Sequence, residues 1–139
     1  MWCSCLLLVA SELTLTLPST PAPDDPDRPI MAPAQGVRFS KWLPSDEYHQ
    51  LFNENLARRF YPAKVEGKQG ADEALYRARF VPRPQGLGFY SYHGMTTASY
   101  SARAARFQQL GYRELSSMSF LDAAGVRRHC ATWIRDKQN

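Results

Sequence analysis

A chain of 139 residues with 44% hydrophobic residues has room for one modest domain, or for two small repeat units that share a core. The formal net charge is +4, but Arg58-Arg59 and Arg127-Arg128 are the only adjacent basic pairs. Scattered basic residues are typical of a solvated surface and not of a nucleic-acid-binding stripe. We therefore expect no nucleic acid among the partners.

Residues 1–36 differ in composition from the rest of the chain. They contain an apolar run at residues 6–10, which Glu12 interrupts and which no Lys or Arg precedes. A degenerate export signal and a start codon placed too far upstream are both open interpretations, and the run is too short to span a bilayer. Residues 18–33 hold six of the ten prolines together with Asp24, Asp25 and Asp27. This composition predicts an extended linker that precedes the folded part.

From residue 37 onward the sequence repeats itself with an offset of 52 to 53 residues. Tyr48 corresponds to Tyr100, and Phe80 corresponds to Trp133. Two copies of one small unit indicate a module that is stable only when its copies pack together. We place the first repeat at residues 37–87 and the second at residues 88–139.

Each repeat contains one strongly predicted helix. In the first, Tyr48, Leu51 and Phe52 fall on one helical face, and Ser45 is positioned to cap the start. In the second, Thr97 is the predicted cap, and Gly111 is placed to end the helix.

Alternating apolar residues predict three strands in each repeat. A strand precedes each helix, at residues 37–41 and 88–92, and two strands joined by a tight loop follow it. The expected order is β-α-β-β, twice, in an α+β fold whose antiparallel sheet is covered by two helices. Cys130 is expected to be a small, half-buried strand residue.

One stretch of the second repeat carries a specific resemblance. His93-Gly94-Met95-Thr96-Thr97-Ala98-Ser99-Tyr100, followed by Leu110-Gly111-Tyr112-Arg113, resembles the polyglycine hydrolase-type structural repeat, also called the bacterial tandem repeat domain. The first copy departs from this pattern, because Arg59-Phe60-Tyr61 stands in place of Gly-Tyr-Arg. The resemblance implies two copies over residues 37–135. It also implies a secreted or cell-envelope protein in which such repeats accompany a β-lactamase-like serine hydrolase domain; a cytoplasmic location is the alternative.

The residues that such a hydrolase needs for catalysis are missing from the sequence. Its nucleophilic serine stands three residues before a lysine that accepts the hydroxyl proton. None of Lys41, Lys64, Lys68 and Lys137 has a serine at that distance. We therefore predict no catalytic residues, and a non-catalytic structural or binding module that acts beside a hydrolase.

Metal chemistry has little support in the sequence. His49, His93 and His129 lack metal-ligand spacing, and Cys3 and Cys5 form a pair without further ligands. We predict no metal site and no cofactor. A small metal-dependent enzyme of the paired β-α-β-β-β type remains an alternative, for which His129 with Glu66 or Glu114 would be the strand ligands.

The remaining alternative is a glycan- or peptide-binding domain. Tyr90 and Tyr92 alternate with Phe89 and Ser91, and Arg77 and Arg79 alternate with the apolar residues of their own strand. We expect Tyr90, Tyr92, Arg77 and Arg79 to lie opposite the core face, where aromatic rings and guanidinium groups could contact a cell-wall glycan or an extended peptide.

Overall fold

The computed structural model describes residues 38–137, all of which belong to one compact unit. Residue 37 and the predicted N-terminal segment and linker lie outside the described residues. The elements in chain order are β1 (Leu43–Pro44), α1 (Ser45–Ala57), β2 (Phe60–Gln69), β3 (Ala74–Pro82), β4 (Gly88–Thr96), α2 (Thr97–Gln109), β5 (Arg113–Leu121) and β6 (Arg127–Arg135).

The strands form two antiparallel sheets, one from each repeat. The first has the order β1-β3-β2 and the second the order β4-β6-β5. An α+β fold with two repeats and two helices is therefore confirmed. The expectation of a single sheet is wrong, because the two repeats meet by packing and not by pairing their strands.

Two side-chain hydroxyl groups form hydrogen bonds across the contact between the sheets. The Ser116 Oγ donates to the Ala63 carbonyl oxygen at 2.8 Å, and the Thr132 Oγ1 donates to the Pro62 carbonyl oxygen at 3.0 Å. The register of β2 shifts between Pro62 and Lys64. A shift of this kind breaks the regular ladder, and proline supplies no N–H to extend it. Strand β2 is thus held across β5 and β6 without joining their sheet.

Strand β6 is buried on both faces. Ala131 and Trp133 pack beneath α2, with Met95 and Phe107. Cys130, which was expected to be half-buried, is fully buried in the cluster of the first repeat. One strand therefore joins the hydrophobic cores of both repeats.

The first predicted strand and both predicted helix caps need correction. The observed strand β1 begins at Leu43, and the residues before it are held by a hydrogen bond from the Ser40 amide to the Ala78 carbonyl oxygen. The N-cap of α1 is Pro44, without a side-chain cap, and that of α2 is Thr96, whose hydroxyl accepts from the Ser99 amide.

The two helices end in the same way with different residues. Gly111, which was predicted to end α2, has a positive φ of 80°. Arg59 takes the corresponding place after α1, with a φ of 62°. Glycine adopts this conformation without a steric penalty, whereas for an arginine it costs roughly 1–2 kcal/mol.

We expect Trp133→Ala to lower the free energy of unfolding by roughly 3–5 kcal/mol, because a large buried ring is removed from the core. The Trp133 side chain is 2% exposed, and its ring centroid lies 5.0 Å from that of Phe107. Urea unfolding followed by circular dichroism measures the change. Leu121→Ala, at a position that is 54% exposed, is the matched control and should change stability by less than about 0.5 kcal/mol. Similar small losses for both variants would contradict the packing described for Trp133.

We expect Tyr48→Phe to raise the free energy of unfolding by about 1 kcal/mol. The Tyr48 side chain is 2% exposed, and its hydroxyl has no hydrogen-bond partner among residues 38–137. A buried hydroxyl without a partner costs about 1–3 kcal/mol. Tyr100→Phe is the control, because the Tyr100 hydroxyl donates to the Glu114 carboxylate and its removal should not stabilise the fold. A clear loss of stability for Tyr48→Phe would contradict the unpaired state of this hydroxyl.

Candidate functional site

The four predicted binding residues belong to two different sheets. Tyr90 and Tyr92 lie in β4 of the second sheet, whereas Arg77 and Arg79 lie in β3 of the first. The two pairs therefore have different surroundings.

Tyr90 and Tyr92 lie on the face of the sheet that α2 covers. The expectation from the sequence that they lie opposite the core face is wrong. Tyr90 is paired with Trp133, and Tyr92 with Ala131. Directly paired residues of neighbouring antiparallel strands point to the same face, and Trp133 points towards α2. The ring of Tyr90 stacks on that of Phe107, with centroids 4.3 Å apart and planes 9° from parallel.

These tyrosines nevertheless reach solvent beside the helix. Tyr90 is 37% exposed, and the Arg103 guanidinium carbon lies 3.9 Å from the centroid of the Tyr92 ring. Together with Arg106 they line an open cavity of about 240 Å³, which we call the tyrosine notch. Neither arginine was predicted. The available signal was their i, i+3 spacing on the polar face of α2, which places both on the same side of the helix.

Arg77 is already engaged by other residues. Its guanidinium carbon lies 4.5 Å from the Phe39 ring centroid and 4.4 Å from that of Trp42, and its Nη2 is 2.7 Å from a Glu66 carboxylate oxygen. Burial alone would raise the pKa of Glu66, but hydrogen bonds from Arg77 and Lys64 outweigh it and hold that pKa below its ordinary value. The charge on Arg77 is therefore largely balanced.

Arg79 lies on the same side of β3 as Arg77, since the strand alternates. Its Nε is buried and has no hydrogen-bond partner among residues 38–137. Both arginines lie opposite the face of Tyr76 and Phe80, as predicted, but neither is part of the tyrosine notch.

His93 connects the two repeats. Its ring lies between those of Tyr48 and Tyr76, with centroid distances of 4.8 Å and 4.5 Å. The Ser45 Oγ lies 3.0 Å from the His93 Nε2. The next residue, Gly94, has a φ of 64°, and a Cβ there would be 2.7 Å from the Tyr76 hydroxyl. A glycine therefore lets β4 approach the first repeat this closely.

The distance between the Ser45 Oγ and the His93 Nε2 would suit a nucleophilic serine and its general base, but the surroundings of the pair favour a structural role. Burial, with a smaller effect from His49, lowers the pKa of His93 to about 4, so its ring is a weak base. Thr97 and His129 form the same contact at the start of α2, at 2.9 Å. We interpret both contacts as anchors of a helix start.

The side chains suggested as metal ligands are held by other groups. The Glu114 carboxylate accepts hydrogen bonds from the Tyr100 hydroxyl and the Ser117 hydroxyl, both at 2.6 Å. Burial raises the pKa of Cys130 to about 11, so its thiol is protonated near neutral pH. Within residues 38–137 no group of three His, Cys, Asp or Glu side chains is arranged to hold a metal ion.

Comparison with protein families decides the classification. The model of the polyglycine hydrolase-like structural repeat matches residues 43–83 and again residues 86–134. The chain belongs to this family. The two matched segments contain the two sheets described above, so each structural repeat corresponds to one observed α+β unit. Searches of curated proteins and of solved structures return no match. Among the described residues, no helix is long and apolar enough to cross a membrane.

In this two-repeat structure we expect acid to weaken the contact at His93. The folded state keeps His93 neutral down to a pKa of about 4, whereas an unfolded histidine takes up a proton near pH 6.5. Between these values the unfolded state binds more protons, so the free energy of unfolding falls as the pH falls. Urea unfolding at pH 7, 6 and 5 measures the slope, in a window above the titration of most carboxylates.

His93→Gln should flatten this slope, since glutamine does not titrate. His49→Gln is the control, and it should reduce the slope only slightly because His49 contributes the smaller part of the pKa shift. Equal slopes in the wild-type protein and His93→Gln would assign the acid sensitivity to other groups and overturn the prediction.

Proposed function

We propose that the chain is a non-catalytic module of two structural repeats that binds a glycan or an extended peptide. In this proposal it is accessory to a serine hydrolase of a secreted or cell-envelope system, and the hydrolase is supplied by another domain or chain. The family classification supports the structural role. The absence of a Ser-x-x-Lys motif from the sequence supports the non-catalytic one.

The tyrosine notch is the observation that carries the binding part of the proposal. Tyr90 is more than one-third exposed, and its stacking on Phe107 holds its ring in a fixed orientation. Arg103 is held by the Tyr92 ring and by a hydrogen bond from its Nε to the Ser99 hydroxyl. Preorganised side chains lose little conformational entropy when a ligand binds. A flat ring beside guanidinium donors suits a sugar ring or a peptide group.

The position of β4 supports a peptide as well as a glycan. It is an edge strand of the second sheet, paired only with β6 within the described part of the chain. Edge strands bind extended peptides by main-chain hydrogen bonds, while neighbouring pockets select the side chains. The tyrosine notch lies beside this edge, where it could provide such a pocket.

We expect Tyr90→Ala to weaken ligand binding at least about tenfold, because tyrosine is enriched among the few contact residues whose truncation costs about 2 kcal/mol or more, and about 1.4 kcal/mol is tenfold in affinity. Isothermal titration calorimetry with cell-wall glycan fragments and with glycine-rich peptides measures the affinity. Arg103→Gln should weaken binding in the same direction, through loss of its charged donors.

Leu121→Ala is the matched control, since it removes an exposed apolar side chain from β5 and not from the notch. Circular dichroism should verify that every variant is folded. Unchanged affinity in folded Tyr90→Ala and Arg103→Gln would remove the notch from consideration. No binding by the wild-type protein to either ligand class would instead favour a spacer that only positions its neighbours.

A further inference from the structure

A second cavity lies away from the tyrosine notch, at the end of α2. Its volume is about 650 Å³, within the range of small-molecule sites. It lies between the segment that joins the two repeats and the ends of α2 and β6. Its lining residues are Arg83, Gly86, Leu87, Gly88, Gln109, Leu110, Gly111, Arg135, Asp136 and Lys137.

Both arginines of this cleft are fixed by the protein backbone. The Arg83 Nε donates to the Leu87 carbonyl oxygen at 2.8 Å, and the Arg135 Nη1 donates to the Leu110 carbonyl oxygen at 2.9 Å. Arg135 also lies over the Tyr112 ring, with its guanidinium carbon 4.7 Å from the centroid. Each guanidinium has five N–H donors. Each arginine therefore keeps donors beyond the one that positions it.

The third cation of the cleft is Lys137, which packs against Gly86. A Cβ at Gly86 would lie 2.8 Å from the Lys137 Cδ. Asp136 is the acidic member of the lining, but it is 75% exposed and lies 3.9 Å from the Nη2 of Arg113, outside the cleft. Three cations against one partly balanced carboxylate leave the cleft electropositive.

We propose that this cleft binds a phosphate-bearing anion of about the size of a sugar phosphate. Fixed guanidinium groups match the oxygens of a phosphate with paired hydrogen bonds, and a lysine adds a point charge. A doubly charged phosphate gains more than a carboxylate from three cations that line one cleft, and this gain exceeds its repulsion by the single, exposed carboxylate of Asp136. The volume leaves room for the group that carries the phosphate.

A structural explanation competes with this proposal. Arg135 hydrogen-bonds a carbonyl in the last turn of α2, and cations are stabilising at helix C-termini without any ligand. This role explains Arg135 alone. It does not account for Arg83 and Lys137, which come from the segment between the repeats and from the residues after β6 and which face the same cleft.

Isothermal titration calorimetry tests the proposal. The titrants are inorganic phosphate, glucose 6-phosphate and glucose, and sodium chloride keeps the ionic strength constant. We expect saturable binding of the two phosphates and none of glucose. Tighter binding of glucose 6-phosphate would identify a phosphorylated sugar as the ligand. Equal binding would identify the phosphate group alone, and both results support the proposal.

The decisive variant is Arg83→Gln/Lys137→Gln, which leaves the helix-end contact of Arg135 in place. It should bind phosphate at least about a hundredfold more weakly, because two charged contacts are lost, hydrogen bonds to charged groups contribute roughly 1.5–3 kcal/mol each, and about 1.4 kcal/mol is tenfold in affinity. Arg127→Gln, which removes an exposed cation hydrogen-bonded to Ser119, is the matched control and should bind like the wild-type protein. The absence of saturable phosphate binding by the wild-type protein, or equal loss in both variants, would overturn the proposal.

Discussion

Strand β6 is packed on each of its faces against a different part of the molecule. Trp133 and Ala131 fill the space beneath α2, while Cys130 belongs to the cluster of the first repeat. Burial of apolar surface is the main favourable term in folding, and one face of β6, which carries Cys130, packs against the first repeat. The hydroxyl of Thr132, between these residues, donates to the backbone of β2. The two repeats therefore stabilise each other through this strand.

The outer side of the second repeat is more polar than the corresponding side of the first. Strand register places Ser117 and Ser119 of β5 where the first repeat has Val65 and Gly67 in β2. Val65 and Gly67 are buried, whereas both serines are exposed. Terminal units of repeat proteins need a polar outer face to remain soluble. The hydroxyls of β5, together with Glu114, give the outer side of the second repeat this polar character.

Local patterns in the sequence predicted the helices and the repeat, but not which face of each strand meets which neighbour. Alternation shows that Tyr90 and Tyr92 share a face, and it does not show that this face is the one beneath α2. A strand that is buried on both sides, such as β6, has no polar face to resolve the question. The His93 ring packs against those of Tyr48 and Tyr76, which come from the other repeat. No local signal specifies such a distant contact.

The two repeats differ in which of their surfaces are engaged by packing and ion pairs. The first repeat uses its inner face to hold the second, and its outer arginine, Arg77, is balanced by Glu66 and covered by Phe39 and Trp42. The second repeat keeps α2 at the surface. The tyrosine notch lies along this helix and the basic cleft lies at its end. A change in the packing of β6 would move that helix and thereby alter both sites at once.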